Sequence, residues 1–166
     1  MKVPKISKVT VNMGVGDGGE SLAKAETLLE ELTGQKTRRN FTKVTEPSFG
    51  IRKGVPIACM VTLRKDIADK FLEKAFAAVE GKLKMSSFDP LGNISFGIKE
   101  HIDIPKVRYD PKVGIFGMDV CLTVERPGYR IKRRRIRNAK PSKKHLVTRA
   151  DSMEFLKSEY KISVEE

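Results

Sequence analysis

Residues Val9 to Gly19 read VTVNMGVGDGG, and two readings of that stretch lead to two different folds. Gly14, Gly16 and Gly19 satisfy the spacing G-x-G-x-x-G between a strand-like run and a helix-like run, ESLAKAETLLEELTG. That is the context of a dinucleotide-binding fingerprint. In such a fold the first strand lies in a parallel sheet covered on both faces and is apolar on both. Here Val9, Val11 and Met13 alternate with Lys8, Thr10 and Asn12. A period of two predicts a strand with one buried face and one polar face. The acid that would hold the ribose about 20 residues beyond the glycines is missing: that segment is QKTRRNFTK, and the next acid is Glu46. Arg38 or Arg39 could hold a 2′-phosphate instead, but Asp17 inside the loop would repel a pyrophosphate. A nucleotide-dependent oxidoreductase using the Gly14-x-Gly16-x-x-Gly19 loop is therefore the weaker alternative. The glycines read more simply as a tight turn from strand into helix. Phosphate contact from backbone N–H groups at the helix start stays open as a third use.

Working outward, Leu22, Ala25, Leu28, Leu29 and Leu32 mark one face of a helix over Glu20–Thr33, with Gly34 as its stop. Lys36–Val44 is polar, basic and weakly extended, and TEPSFGIRKGVP is a loop. IACMVTLRK, residues 57–65, alternates as a strand, with Cys59, Val61 and Leu63 inward and Thr62 and Arg64 outward. Asp66 is placed to cap a second helix with Ile67, Phe71, Leu72, Ala75 and Val79 inward and Gly81 at its end. ISFGIKE and HIDIP read as short strands, and Met118–Glu125 as the last one. Thr148–Tyr160 reads as a terminal amphipathic helix. The order β-α-β-β-α-β-β, with single-sided strands, predicts an α+β fold: a two-layer, mostly antiparallel sheet with helices on one face, plus a basic C-terminal extension and terminal helix. Residues 1–125 form the predicted body and 126–166 an extension belonging to the same structural unit.

The 166 residues carry a net charge of +12. Its placement is more informative than its size. From Arg126 to Arg149 there are eleven Lys or Arg and no acid, so the rest of the chain is near neutral. Such a run is an electrostatic footprint for a polyanion; the plainer account is a solvated basic face. Gly128, Asn138 and Pro141 interrupt any long recognition helix for duplex DNA. No apolar run approaches the ~18 residues of a membrane span, and the N-terminus has no signal-peptide core. Cys59 and Cys121 sit in strand-like runs without C-x-x-C spacing, which predicts two buried thiols in a reducing cytosol. Two histidines and two scattered cysteines predict no metal site, and no cofactor is expected.

The outward residues suggest a surface. Asn12 on the first strand, Gln35, Lys36, Arg38 and Arg39 around the second, and Thr62 and Arg64 on the third bring amides, hydroxyls and cations together if those strands are neighbours. Amides read base edges and cations hold phosphates. With few aromatics exposed, recognition of folded RNA by shape and backbone fits better than base stacking, against the alternative of an ordinary solvated sheet face. In PSFGIRKGVP, Phe49, Ile51, Arg52 and Lys53 form either a surface loop tucked back by its aromatic or a finger reaching an RNA backbone.

VTVNMGVG, LTGQK, SFGIRKGVPIACMVTLR, FGIKEHIDIPKVRYD and GIFGMDVCLTVERPGYR, in this order from about Lys5 to Arg130, resemble the family of the universal large-subunit ribosomal protein number five. The tail beyond Arg130 looks like its archaeal and eukaryotic branch, as does the lack of a longer N-terminal helix. The resemblance implies a non-catalytic scaffold in the cytoplasmic ribosome. It would hold 5S rRNA on the strand face, touch large-subunit rRNA, extend a loop to the elbow of peptidyl-site tRNA and help bridge to a small-subunit protein. Carried onto this sequence, Asn12, Gln35, Thr62 and Arg64 would meet 5S rRNA. The loop Glu46–Pro56 would face tRNA through Phe49, Arg52 and Lys53, with Gly50 where the family often has a lysine or arginine. For the tail, charge alone points to rRNA as partner of Arg126, Arg130, Lys132, Arg133, Arg134, Arg135, Arg137, Lys143 and Lys144.

Overall fold

The strand that carries Asn12, β1 (Lys5–Gly14), lies at the centre of the sheet in the computed structural model, which describes residues 2–16, 18–105, 107, 109–111 and 113–165. After it come α1 (Glu20–Thr33), β2 (Arg38–Phe41), β3 (Pro56–Leu63), α2 (Lys65–Ala78), β4 (Lys82–Lys84), β5 (Ile94–Ile98), β6 (Met118–Glu125), α3 (Arg130–Arg133), α4 (Arg149–Tyr160) and β7 (Ser163–Glu165). The main sheet has the order β2-β3-β1-β6-β5, and every neighbouring pair is antiparallel. Both neighbours of the first strand thus run against it, which the parallel dinucleotide-binding fold does not allow. Asp17, read above as a repulsive group in the glycine loop, lies outside the described residues, as do Lys106 and Arg108 of the KVRYD motif.

The alternation read from sequence places the core. Val9, Val11 and Met13 of β1, Cys59, Val61 and Leu63 of β3, Val120, Leu122 and Val124 of β6, and Ile94, Phe96 and Ile98 of β5 are buried on one face. Against it pack Leu22, Ala25, Leu28 and Leu29 of α1 and Phe71, Leu72 and Ala75 of α2. Each fully buried aliphatic side chain contributes about 1.5–3 kcal/mol over its exposed state. Val147, Leu156 and Ile162 from the extension belong to the same buried cluster. Phe76 links it to the sheet and to α4, with ring centroids 5.4 Å from Phe96 and 5.2 Å from Tyr160.

Several local expectations are corrected. HIDIP is not a strand: His101–Asp103 form a 3-10 turn, and His101 is buried. α2 starts from an extended Arg64 with no side-chain cap, and Asp66 lies inside its first turn, where its charge faces the positive helix end. The inner stripe of α2 is Ala68, Phe71, Leu72, Ala75 and Phe76; Ile67, one residue off that stripe, is 43% exposed. Cys59 is buried but Cys121 is exposed, because it alternates with Val120 and Leu122 onto the uncovered face. Finally, β4 pairs in parallel with β7, a contact between two three-residue strands too short to show any periodicity.

Candidate nucleic-acid interface

Helices cover only one face of the sheet, and the residues on the other follow from register. Thr10 pairs with Thr62 on one side and Cys121 on the other, and Cys121 pairs with Ser95. The next row runs Arg38, Met60, Asn12, Asp119 and Gly97. Asn40 comes next, opposite Ala58, and its Nδ2 donates to Asn12 Oδ1 at 3.4 Å. That leaves the Asn12 Nδ2 without a partner among the described residues, facing away from the helices. Hydroxyls, amides and one carboxylate offer donors and acceptors suited to base edges, with Arg38 and Lys8 as cations for phosphates. The Cys121 thiol beside Asp119 is shifted up, first by partial desolvation and then by the Asp119 charge.

Asn12, Thr62 and Arg38 are therefore brought together. Arg39 is not. It pairs with Cys59, a core-facing position, and forks onto Glu26 of α1, Nε to Oε1 at 2.5 Å and Nη2 to Oε2 at 2.8 Å. Successive strand residues alternate faces, so Arg39 stands on the helix side. Its hydrogen bonds hold the Glu26 carboxyl below its ordinary value, against the effect of partial burial. Arg64 is exposed at the start of α2, and its Nη1 donates to the Ser7 carbonyl at 3.1 Å. Gln35 lies in the turn after α1, where its N–H donates to Thr33 Oγ1 at 3.4 Å. Lys36 is exposed just ahead of β2. Asn40 was not singled out in the sequence; its parity with Arg38 is the signal that marks it.

The loop between β2 and β3 is a built finger. Glu46 and Ile51 exchange backbone hydrogen bonds of 2.8 and 3.1 Å, and Gly54 N–H donates to the Thr42 carbonyl at 3.0 Å. The Thr42 hydroxyl donates to the Arg52 carbonyl, and the Thr45 hydroxyl accepts from Lys53 N–H at 3.0 Å. Gly50, φ +66, closes the tip after Pro47–Phe49. Phe49 is 78% exposed, so it is not tucked back. Arg52 and Lys53 are exposed beside it.

The basic arm is folded onto the body. Arg126 is an internal strut: Nη1 donates to the Lys144 and Leu146 carbonyls at 3.3 and 3.5 Å, and Nη2 lies 3.1 Å from Asp151 Oδ2. The Tyr129 hydroxyl accepts from Val147 N–H at 3.1 Å, and His145 Nε2 donates to the Pro127 carbonyl at 2.9 Å. Thr148 and Asp151 close a capping box at the start of α4. The Asp151 carboxyl is held below its ordinary value chiefly by the Thr148 N–H, with the Thr148 hydroxyl and the Arg126 charge adding to it against partial burial. Arg133 pairs with Glu125, and Arg134 Nε donates to the Arg137 carbonyl at 2.6 Å. Arg130, Lys132, Arg135, Arg137, Lys143 and Lys144 are exposed, and none forms an ion pair among the described residues.

The glycine turn is occupied with holding the fold. Val15 and Gly16 N–H groups both donate to the Ile57 carbonyl at 3.0 Å, so they are not free for a pyrophosphate. Among the described residues no group of three or more His, Cys, Asp or Glu could hold a metal ion, and no helix is long and apolar enough to cross a membrane.

Comparison with known proteins agrees with this geometry. Residues 1–52 match the family Ribosomal protein L5, and residues 56–155 match the C-terminus of the same ribosomal protein family. The chain is 52% identical to the large ribosomal subunit protein uL5 of Methanosphaera stadtmanae over 165 residues, 99% of this chain and 98% of that one. It is 51% identical to the uL5 protein of Sulfurisphaera tokodaii over 167 residues, 100% of this chain and 94% of that one. With Methanococcus aeolicus uL5 the identity is 50% over 169 residues, covering 100% and 93%. Identity of this order along both chains, on a sheet that leaves one polar face bare, shows that the chain belongs to the L5 family of ribosomal proteins.

Proposed function

We propose that this protein is a non-catalytic component of the large subunit of the cytoplasmic ribosome that binds 5S rRNA on its open sheet face and helps anchor it to large-subunit rRNA. The observation that carries the reading is the pair of adjacent rows on the open face that bring Arg38 and Asn12 beside Thr10 and Thr62. A polar face that combines a guanidinium, an amide and two hydroxyls reads a folded RNA better than it serves a core. The finger from Glu46 to Pro56 presents Phe49, Arg52 and Lys53 to peptidyl-site tRNA, and a small-subunit protein meets this subunit at a bridge. The exposed cations of the arm supply general affinity for rRNA.

The test is a competition of 5S rRNA against an unrelated folded RNA and duplex DNA at near-physiological salt. The expected result is preference for 5S rRNA, reduced in an Asn12→Ala variant by about 1–3 kcal/mol, the cost of losing one base-edge contact. Removing Arg134 and Arg135 lowers affinity for all three competitors alike and flattens the salt dependence by about 0.9 per phosphate on duplex regions. Equal binding of 5S rRNA and the unrelated RNA contradicts the reading.

A further inference from the structure

The ladder between β1 and β6 shifts register between Ile6 and Lys8. An extra residue on one strand reverses the parity of everything beyond it. By simple alternation Lys5 would fall on the core side, opposite Lys8. Instead it pairs directly with Glu125, which keeps the parity of Cys121 and Asp119 along β6 and so stands on the open face. The bulge at Ser7 therefore returns Lys5 to the surface that bears Asn12, seven residues or roughly 23 Å away along the strand.

At this end of the sheet a hollow of about 310 Å³ opens between β1 and the arm, with Lys5, Ser7, Glu125, Tyr129, Arg130 and Arg133 among its lining. Its one acid, Glu125, is already paired with Arg133. Lys5 and Arg130 are exposed and have no ion-pair partner among the described residues. The far wall is fixed in advance. Tyr129 is buried and its hydroxyl is tied to Val147, Arg126 is tied to Asp151, and His145 is tied to Pro127. A wall fixed before the ligand arrives leaves only the Lys5 and Arg130 side chains to be ordered on binding, which lowers the ordering cost.

We propose that this hollow binds a backbone phosphate of the same RNA that lies on the open sheet face, with Lys5 and Arg130 as its free cations and Arg133 beside them. Sheet and arm then grip one continuous RNA surface instead of two separate partners. The inference rests on the RNA-binding reading above and adds a site at the junction.

The test compares two double variants, each removing two exposed cations: Lys5→Ala with Arg130→Ala in the hollow, and Lys140→Ala with Lys144→Ala elsewhere on the arm. Binding of 5S rRNA and of an unrelated folded RNA is measured across a range of salt, with the thermal midpoint of each protein as a check on folding. The hollow variant should lose about tenfold in affinity for 5S rRNA and about one from the salt slope, while the control pair loses clearly less. Equal losses in the two variants, or wild-type binding by the hollow variant, overturn the proposal. Failure of the wild-type protein to prefer 5S rRNA contradicts the function reading instead, and the comparison of the two variants on either RNA still decides the hollow.

Discussion

A Cβ on Gly18 would stand 2.6 Å from the Pro56 carbonyl oxygen, a backbone atom that cannot step aside. Gly16 has φ +82, whereas Gly14 and Gly19 have neither positive φ nor any atom within 4 Å of an added Cβ. Gly18→Ala should therefore cost about 1–3 kcal/mol, Gly16→Ala about 1–2, and Gly14→Ala or Gly19→Ala within about 0.5, as read by urea unfolding. A dinucleotide motif would instead make positions 14 and 19 as sensitive as 16 and leave 18 tolerant. The Asp151 carboxyl gives a second prediction. Its folded pKa is depressed below the ordinary value of 3.8. Its stabilising effect is thus complete above 3.8 and lost as pH falls through the lower folded value. Unfolding followed against pH should show wild-type stability falling in this acid range, and the Asp151→Asn variant should lack that portion of the fall.

Among the elements, the finger and the arm look alike in sequence, as loops rich in cations, but differ in how they are held. The finger relies on its own hydrogen bonds, chiefly around Thr42. Thr42→Val should speed amide exchange at Ile51, Gly54 and Val55 while leaving β1 and β6 protected. Phe49 is exposed at the tip and supports nothing, so Phe49→Ala should change stability by less than about 0.5 kcal/mol while weakening binding to tRNA in a gel-shift assay. The arm is braced internally by Arg126, which ties it to Asp151 of α4 and carries a charge that sequence alone assigns to RNA, while Val147 and Leu156 seat it in the core of the body. Adjacent Arg38 and Arg39 teach the same lesson: strand alternation sends one to the open face and the other to Glu26. Charge density marks a region, but the neighbour of each charge decides its use.

For the whole molecule, the three long helices carry ten carboxylates against six cations, within a chain of net charge +12. The positive potential is left to the open sheet side, the finger and the arm, which orients the protein toward a polyanion as it approaches. The two-layer fold was legible because Val9, Val11 and Met13, and their counterparts in β3 and β6, alternate without interruption. What escaped was set by contacts distant in sequence: the bulge that turns Lys5 outward, the short parallel pair of β4 and β7, and the turn that buries His101. Asn12 was legible as a polar position and Asn40 shares the parity of Arg38, but that Asn40 and Asp119 are neighbours of Asn12 emerged only with the strand order.

Cys121 provides the most direct test that RNA occupies the open face. It is the exposed thiol in the row of Thr62, Thr10 and Ser95. Cys59 is buried on the other face, with its thiol pushed up to about 11 by burial. Alkylation of the native protein at mildly alkaline pH should modify Cys121 first. The account predicts that saturating 5S rRNA suppresses that modification strongly and that an unrelated folded RNA at the same concentration does not. A stable complex with 5S rRNA in which Cys121 is alkylated at the rate of the free protein would contradict it.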